Sequence, residues 1–400
     1  MHRMIDPDTA LRLVLDATPR LAPRACPLVD ANGLVLADSL IADRDYPPFP
    51  RAMMDGYAVR CGDAGKTVPV VGEVAAGTAS SVSVTGGMAV EIMTGAPCPE
   101  GTEAVVQKEL VEREGDSVSL PADLPAGKNI APTGVECERG ATVLEQGDVL
   151  TPLAIACAAT FGRSVVSVYP RPSMAIITTG DELVPVDVEP GPAQIRNSNG
   201  IMLGAMARNL GIAEVAQAHA TDTPESLSHC LTSAANADII VLSGAVSAGK
   251  YDGVPDALAE FGATAIFHKV TQRPGKPLLF ATRDRQLIFG LPGNPLSCHL
   301  GFYRYIAPAA RRMMGIDTPR PVLRGILTDS MTIKGSRTVF QLAVARHESN
   351  EWYVLPCKGK GSADMYTAAR GNALIRFDPE SGEVRGGATV SFELLDPPIG

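Results

Sequence analysis

Several short stretches of the chain set glycine and small hydroxyl residues beside a charged side chain, the composition of loops that hold anions and metal ions. The longest runs from Ile239 to Gly253. Four branched apolar residues lead into Ser243-Gly244-Ala245-Val246-Ser247-Ala248-Gly249-Lys250-Tyr251-Asp252-Gly253. Small residues let a ligand approach the backbone closely, and the exposed N–H groups of such a loop cradle an anion. Gly244 to Lys250 fits G-x-x-x-x-G-K, the start of a nucleotide-binding P-loop. That loop needs Ser or Thr after the lysine to bind Mg²⁺, and position 251 is Tyr. No apolar strand after residue 252 ends in the bare Asp that would hold the same metal. The P-loop reading is therefore set aside. A glycine loop with Asp252 at the next helix start still suits a phosphate-bearing ligand and a divalent cation.

Similar chemistry recurs elsewhere. Thr179-Gly180-Asp181-Glu182 and Pro292-Gly293-Asn294-Pro295 each follow an apolar run. Lys276, in Pro274-Gly275-Lys276-Pro277, is stiffly presented, so its ammonium can meet an oxyanion. Ser297 falls in the first turn of a helix, where the positive end favours an anion. Asp55-Gly56 follows the rigid arm Pro47-Pro48-Phe49-Pro50 and suits either a site or an ordinary turn.

The elements that must position these residues change in character along the chain. Asp6-Pro7 and Thr151-Pro152 open helices as cap and first residue. Between them, Thr67–Val71, Ser81–Val84, Ala89–Met93, Ala104–Val106 and Ser117–Leu120 are predicted as strands of a small β module. From Arg171, strands at 173–179, 213–219, 239–242, 265–270 and 287–291 alternate with helices at 199–209, 223–235, 252–261 and 295–314. That alternation predicts a doubly wound, mostly parallel α/β domain covered on both faces, with ligands at the carboxyl ends of the strands. Val322 to Leu395 has no helical period and reads as a small all-β domain. The expected fold is thus multidomain α/β. Its parts are read as a linking domain (1–26, 42–50, 140–170), to which the resemblance given below adds dimerisation, a small β-rich domain (27–41, 51–139), the α/β domain (171–317) and a β-barrel-like domain (318–400).

Four hundred residues exceed what one core usually supports. A net charge of −9 argues against a general nucleic-acid binder. The charge is uneven, with 10 Lys and Arg against 9 Asp and Glu from Thr318 onward. The eight cysteines are scattered without a C-x-x-C, as expected of free thiols in a reducing cytoplasm. Neither a signal peptide nor a membrane span is read.

Taken in order, Met54-Asp55-Gly56-Tyr57-Ala58, Met93-Thr94-Gly95-Ala96-Pro97, Thr179-Gly180-Asp181-Glu182-Leu183, Ser243-Gly244-x-Val246-Ser247-x-Gly249-x-x-Asp252, Pro274-Gly275-Lys276-Pro277 and Leu291-Pro292-Gly293-Asn294-Pro295 resemble the MoeA/gephyrin E-domain family of molybdenum-inserting enzymes. The resemblance covers essentially the whole chain. It implies a molybdopterin molybdotransferase that takes molybdate and adenylylated molybdopterin and releases AMP with Mg²⁺. Asp55, Glu182 and Asp252 would be catalytic, and Glu182, Asp252 and Glu136 would serve the metal. Thr94, Gly180, Asp181, Asp222, Ser243, Gly244, Ser247, Gly249, Lys276, Pro292, Gly293, Asn294, Ser297, Arg337 and Ser362 would bind substrate. Asp222 also suits plain helix capping. The resemblance further implies a homodimer with Asp55 reaching across its interface, a molybdopterin adenylyltransferase upstream, and molybdoenzymes or carrier proteins downstream. A non-catalytic molybdopterin-binding or scaffold paralogue is the alternative.

The chain departs from the family pattern in three places. Ala245 replaces the second glycine of the loop, and Tyr366-Thr367 replaces a pair of small hydroxyl residues. After Asn129-Ile130, a basic cluster ending in Gly-Glu-Asp becomes Ala131-Pro132-Thr133-Gly134-Val135-Glu136. The arginines are missing there, and Glu136 carries its carboxylate one methylene further out.

Overall fold

The computed structural model describes residues 4–78, 81–244 and 254–395. The chain divides into two compact units, 25–168 and the remainder.

The larger unit is built on a six-stranded sheet in the order Val215–Ala220, Met174–Thr179, Ile239–Gly244, Gln286–Pro292, Leu279–Arg283, Thr264–His268. The first four strands are parallel. Met174–Thr179, Ile239–Gly244 and Gln286–Pro292 are buried almost throughout because both faces are covered, whereas the edge strand Val215–Ala220 is mostly exposed. Met174, Ile176, Ile239, Val241 and Phe289 pack on one side against the helices Pro7–Ala17 and Ser198–Asn209 and the long helix after Asn294. Ala175, Ile177, Ile240, Leu242 and Ile288 point to the other side, against Pro224–Ser233 and Val254–Glu260. This is the doubly wound, mostly parallel arrangement expected. Leu279–Arg283 had no place in the sequence reading. It forms an antiparallel hairpin with Gln286–Pro292 through a two-residue turn, with Asp284 at φ 52°.

The predicted caps form. Asp6 accepts from the amides of Asp8 (3.0 Å) and Thr9 (2.9 Å). Thr223 caps Pro224–Ser233 through the Ser226 amide. The long helix runs Pro295–Gly301, passes through a π-helical stretch at Phe302–Ile306 and continues as Ala307–Met313.

Five C-terminal strands close on themselves. Thr338–Glu348 pairs with Glu351–Pro356 and Ala373–Phe377, and the circuit returns through Thr389–Leu394 and Val322–Leu327. Leu300 and Tyr303 of the long helix pack against Phe340, Leu374 and Leu395, which fixes the barrel beside the strand ends. One helical turn, Met365–Ala368 capped by Asp364, interrupts the all-β pattern.

The unit 25–168 carries a six-stranded sheet in the order Ala104–Gln107, Gly56–Val59, Ala89–Ile92, Thr67–Val74, Ser117–Ser119, Glu112–Glu114. Ser81–Val84, expected as a strand, is not one. Thr67–Val74, the strand before it, already pairs with Ala89–Ile92 and with Ser117–Ser119, so it offers that segment no free edge. Gly56–Val59, read only as a site loop, is instead a central strand. A Cβ at Gly56 would land on the Val106 carbonyl, so the residue after Asp55 has to be glycine for these strands to meet.

Candidate active site

Three adjacent parallel strands end at Thr179-Gly180, Ser243-Gly244 and Pro292-Gly293, and a cleft of about 840 Å³ opens over them. Gly180, Glu182, Asp222, Ser243, Gly244, Gly293 and Asn294 line it, together with Arg196, Asn197, Asn199 and Tyr366. Gly244 has φ 131°, and a Cβ there would stand 2.5 Å from the Thr179 carbonyl oxygen. The cleft floor therefore needs glycine at this point. Asp181 is not in the lining. It accepts the Asp222 amide (3.0 Å) and so ties two strand-end loops together.

A second cleft of about 890 Å³ shares Glu182, Gly244, Gly293 and Asn294 with the first. Its distinctive walls are basic: Lys276, Arg337, Arg273 and Lys334. Pro292, Ser297 and Ser362 also line it. The side-chain amide of Asn294 donates to Ser362 Oγ (2.9 Å), and the Leu296 amide donates to the Ser362 carbonyl (3.1 Å). Ser297 is almost fully buried in the helix start, so it lies in the cleft wall rather than standing out from it.

Side chains lace these strand ends together. Asn197 caps Ser198–Asn209 and donates to Thr178 Oγ1 (2.7 Å). Asn199 Nδ2 donates to Ser243 Oγ (3.1 Å) and to the Gly293 carbonyl (2.7 Å), while its Oδ1 is buried without a partner among the described residues. Below them the Cys298 thiol donates to the Pro292 carbonyl (2.7 Å) and lies 3.2 Å from Ser243 Oγ. Burial pushes that thiol up to about 12, so it stays a neutral donor. His219 Nε2 is 2.8 Å from the Gly180 carbonyl.

In the unit 25–168, Asp55 Oδ1 accepts both the amide and the hydroxyl of Thr94, each at 2.7 Å. Lys108 lies 3.6 Å from Oδ2. The Thr94 hydroxyl bond first, then its amide bond, holds the Asp55 carboxyl below its usual range, so it is ionised. Glu136, expected to serve the metal, is instead paired with Arg51, with Nη2 2.5 Å from Oε1. The guanidinium offsets that carboxylate's charge through one oxygen. A cation from another segment thus stands beside 131–136. Ile130–Ala131 pairs antiparallel with Arg51–Ala52, and Ala131 stands opposite Arg51.

Ser247, Gly249 and Asp252, with Ala245, fall outside the described residues. Among the described residues no three His, Cys, Asp or Glu side chains converge on a metal position. Glu182 folds its carboxylate back over Gly180, with no hydrogen bond or ion pair among the described residues. A hard oxygen donor of this kind suits Mg²⁺, which takes one or two carboxylates and completes its shell with phosphate and water.

Family models described as the MoeA N-terminal region (domains I and II), a probable molybdopterin binding domain and the MoeA C-terminal region (domain IV) match residues 5–162, 175–312 and 324–395. A protein named molybdopterin molybdenumtransferase 2 from Mycobacterium tuberculosis is 35% identical over 95% of this chain and 96% of its own length. The chain belongs to the MoeA family. A molybdopterin molybdenumtransferase of Staphylococcus aureus is 32% identical over 90% of this chain and 88% of its own. A crystal structure of a molybdopterin biosynthesis MoeA protein from a Pyrococcus superposes with TM-score 0.84 at 27% identity, covering 98% of this chain and 99% of that one.

Within this MoeA-family chain, sequence reasoning missed Arg51, Asn197, Asn199, Arg273, Lys334 and Cys298. The Arg196-Asn197-Ser198-Asn199 run did carry a usable signal, since Asn directly after a strand and before a helix is a capping pattern. Tyr366, flagged as a departure, is 95% exposed at the mouth of the first cleft.

Proposed function

We propose that this chain, a transferase of molybdenum cofactor biosynthesis, inserts molybdate into adenylylated molybdopterin and releases AMP in a Mg²⁺-dependent cleavage. The observation that carries this reading is the pair of adjoining clefts at the strand ends. One presents Glu182 and Asp222, and the other presents Lys276, Arg337, Arg273 and Lys334. A ligand carrying a phosphoanhydride, next to a second oxyanion, needs both characters side by side.

Glu182 and Asp252 would hold Mg²⁺, which when bound neutralises phosphate oxygens as the anhydride breaks. Lys276 and Arg337 bind molybdate, and their fixed charges stabilise the oxyanion without reorganising. Gly244 and Gly293 bring backbone within reach of the phosphates. Asn199 and Asn294 hold the loops that carry them. Asp55, ionised and locked by Thr94, is supplied across the interface of a homodimer. The four-domain division read from the sequence belongs to the same proposal. So do the cytoplasmic setting, the adenylyltransferase upstream and the molybdoenzymes or carriers downstream. Among the described residues no helix is long and apolar enough to cross a membrane.

The test is direct. Purified protein is given adenylylated molybdopterin, Mg²⁺ and molybdate, and AMP release and cofactor formation are followed together. Absence of AMP release from folded protein sinks the proposal. Pterin binding without turnover would point to the scaffold alternative.

A further inference from the structure

Arg51 and Glu136 are 85 residues apart, yet the fold brings them to one ribbon edge. Arg51 lies in the short strand Arg51–Ala52, and its guanidinium carbon sits 5.7 Å from the Tyr46 ring centroid. The Tyr46 carbonyl in turn accepts the Glu136 amide (3.0 Å), so one segment supports both members of the ion pair. On the other side of the strand, Ala52 exchanges backbone bonds with Gly95 and Ala96, in the turn whose Thr94 holds Asp55. The ribbon thus carries two carboxylates, and each has one cation: Arg51 for Glu136 and Lys108 for Asp55.

That pairing sits in a strongly acidic setting. Residues 25–168 hold 9 Lys and Arg against 19 Asp and Glu, a balance of −10 beside −9 for the whole chain. An unpaired carboxylate here would repel an anion at short range, while charges beyond about 8–10 Å are largely screened. The pair is partly exposed, with side-chain exposures of 30% and 46%. An ion pair of that kind adds little to fold stability.

We propose that Arg51 is a charge-positioning residue: it neutralises Glu136 and fixes that carboxylate so that an anionic, phosphate-bearing ligand can approach this edge. The inference rests on the proposed function for the identity of that ligand. It assigns Glu136 to an ion pair rather than to a metal.

The experiment measures KM and kcat for adenylylated molybdopterin, and its Kd without molybdate, at low and high salt. The proteins are wild type, Arg51→Ala, Glu136→Gln and Arg51→Ala/Glu136→Gln, each with its melting midpoint. Arg51→Ala should raise KM and Kd roughly tenfold, leave kcat nearly unchanged and shift the midpoint by less than about 2 °C. Its defect should shrink at high salt. The double variant, with no uncompensated charge, should return KM and Kd to near wild type, a recovery that a merely structural role would not give. Arg51→Ala with unchanged KM and Kd overturns the inference, and so does a double variant that keeps the full defect. Wild type that binds the pterin nucleotide without turning it over refutes the proposed reaction alone, and the Kd series then decides this inference. Wild type that does not bind it overturns both.

Discussion

Replacing Asn199 by Asp keeps the shape of the side chain and removes both of its donors. In the native arrangement Nδ2 donates to Ser243 Oγ at 3.1 Å and to the Gly293 carbonyl at 2.7 Å. The variant would lose the donor to Gly293, about 0.5–1.5 kcal/mol, whereas the Ser243 hydroxyl can turn and donate to the carboxylate. It would also set a charged oxygen against the Gly293 carbonyl, an unsatisfied contact that costs about 1–3 kcal/mol. A total of about 1.5–4.5 kcal/mol follows. Asn199→Ala behaves differently, because it also deletes the buried Oδ1, which has no partner among the described residues. Relief of that unsatisfied acceptor, worth about 1–3 kcal/mol, offsets much of the loss, so Ala should cost only about 0–1 kcal/mol. The order is the prediction: Asp is clearly destabilising and Ala is mild. Both variants should nevertheless lose most AMP release, since the strand-end loops are no longer tied together. Urea melts give the first comparison, and turnover with adenylylated molybdopterin gives the second. An Ala variant less stable than the Asp variant, or an Asp variant with wild-type turnover, would refute the reasoning.

Three further outcomes are expected. Gly244→Ala places a Cβ 2.5 Å from the Thr179 carbonyl at a φ of 131° and should cost at least about 2 kcal/mol, visible by calorimetry as a melting point several degrees lower. Glu182→Ala should abolish Mg²⁺-dependent AMP release with little change in melting point, because the Glu182 carboxylate makes no hydrogen bond or ion pair among the described residues and its backbone bond to Ile195 is kept; retained turnover would remove it from the metal site. Asp8 is held below its usual 3.8 mainly by its hydrogen bond to Arg376, with Arg376 and Arg304 adding their charges. Its folded pKa is lower than its unfolded one, so its stabilisation is present above about pH 4 and is lost as pH falls through the folded value. The stability gap between wild type and Asp8→Asn should accordingly be constant from pH 8 to pH 5 and close on further acidification, as followed by melts across that range.

Much of the fold was legible because its signals are local. Asp6-Pro7, Thr151-Pro152 and Thr223-Pro224 each combine a side-chain acceptor with a residue that needs no N–H, and each starts a helix. The continuous apolar runs at 174–179 and 239–244 fit strands covered on both faces, as the two packed helical layers require. Ser81–Val84 shows where such reasoning fails. Alternation gives a segment the right period for a strand, but only a free sheet edge makes it one, and here both neighbours of Thr67–Val74 were already chosen. Leu279–Arg283 fails in the opposite sense. Its five residues receive no element in the sequence reading because the decisive feature, a two-residue turn to the next strand, carries no glycine and is made by Asp284 at positive φ.

The candidate site divides along the same line. Its glycine and proline loops are legible because the constraint acts within a few residues: Gly244 has to be glycine for the sake of a φ and one neighbouring carbonyl. The side chains that hold those loops in register act over 44 and 94 residues for Asn199 and over 85 for Arg51. No spacing rule connects such positions, because the contact exists only once the strands have paired, in parallel for Asn199 and in an antiparallel ribbon for Arg51. Arg51 makes the point most sharply. Read along the chain, the segment 131–136 has lost its cations; read across the ribbon, the cation stands opposite Ala131. Charge is therefore a property of the paired strands rather than of either segment. A motif that lacks cations in its own residues can have one beside it in the fold.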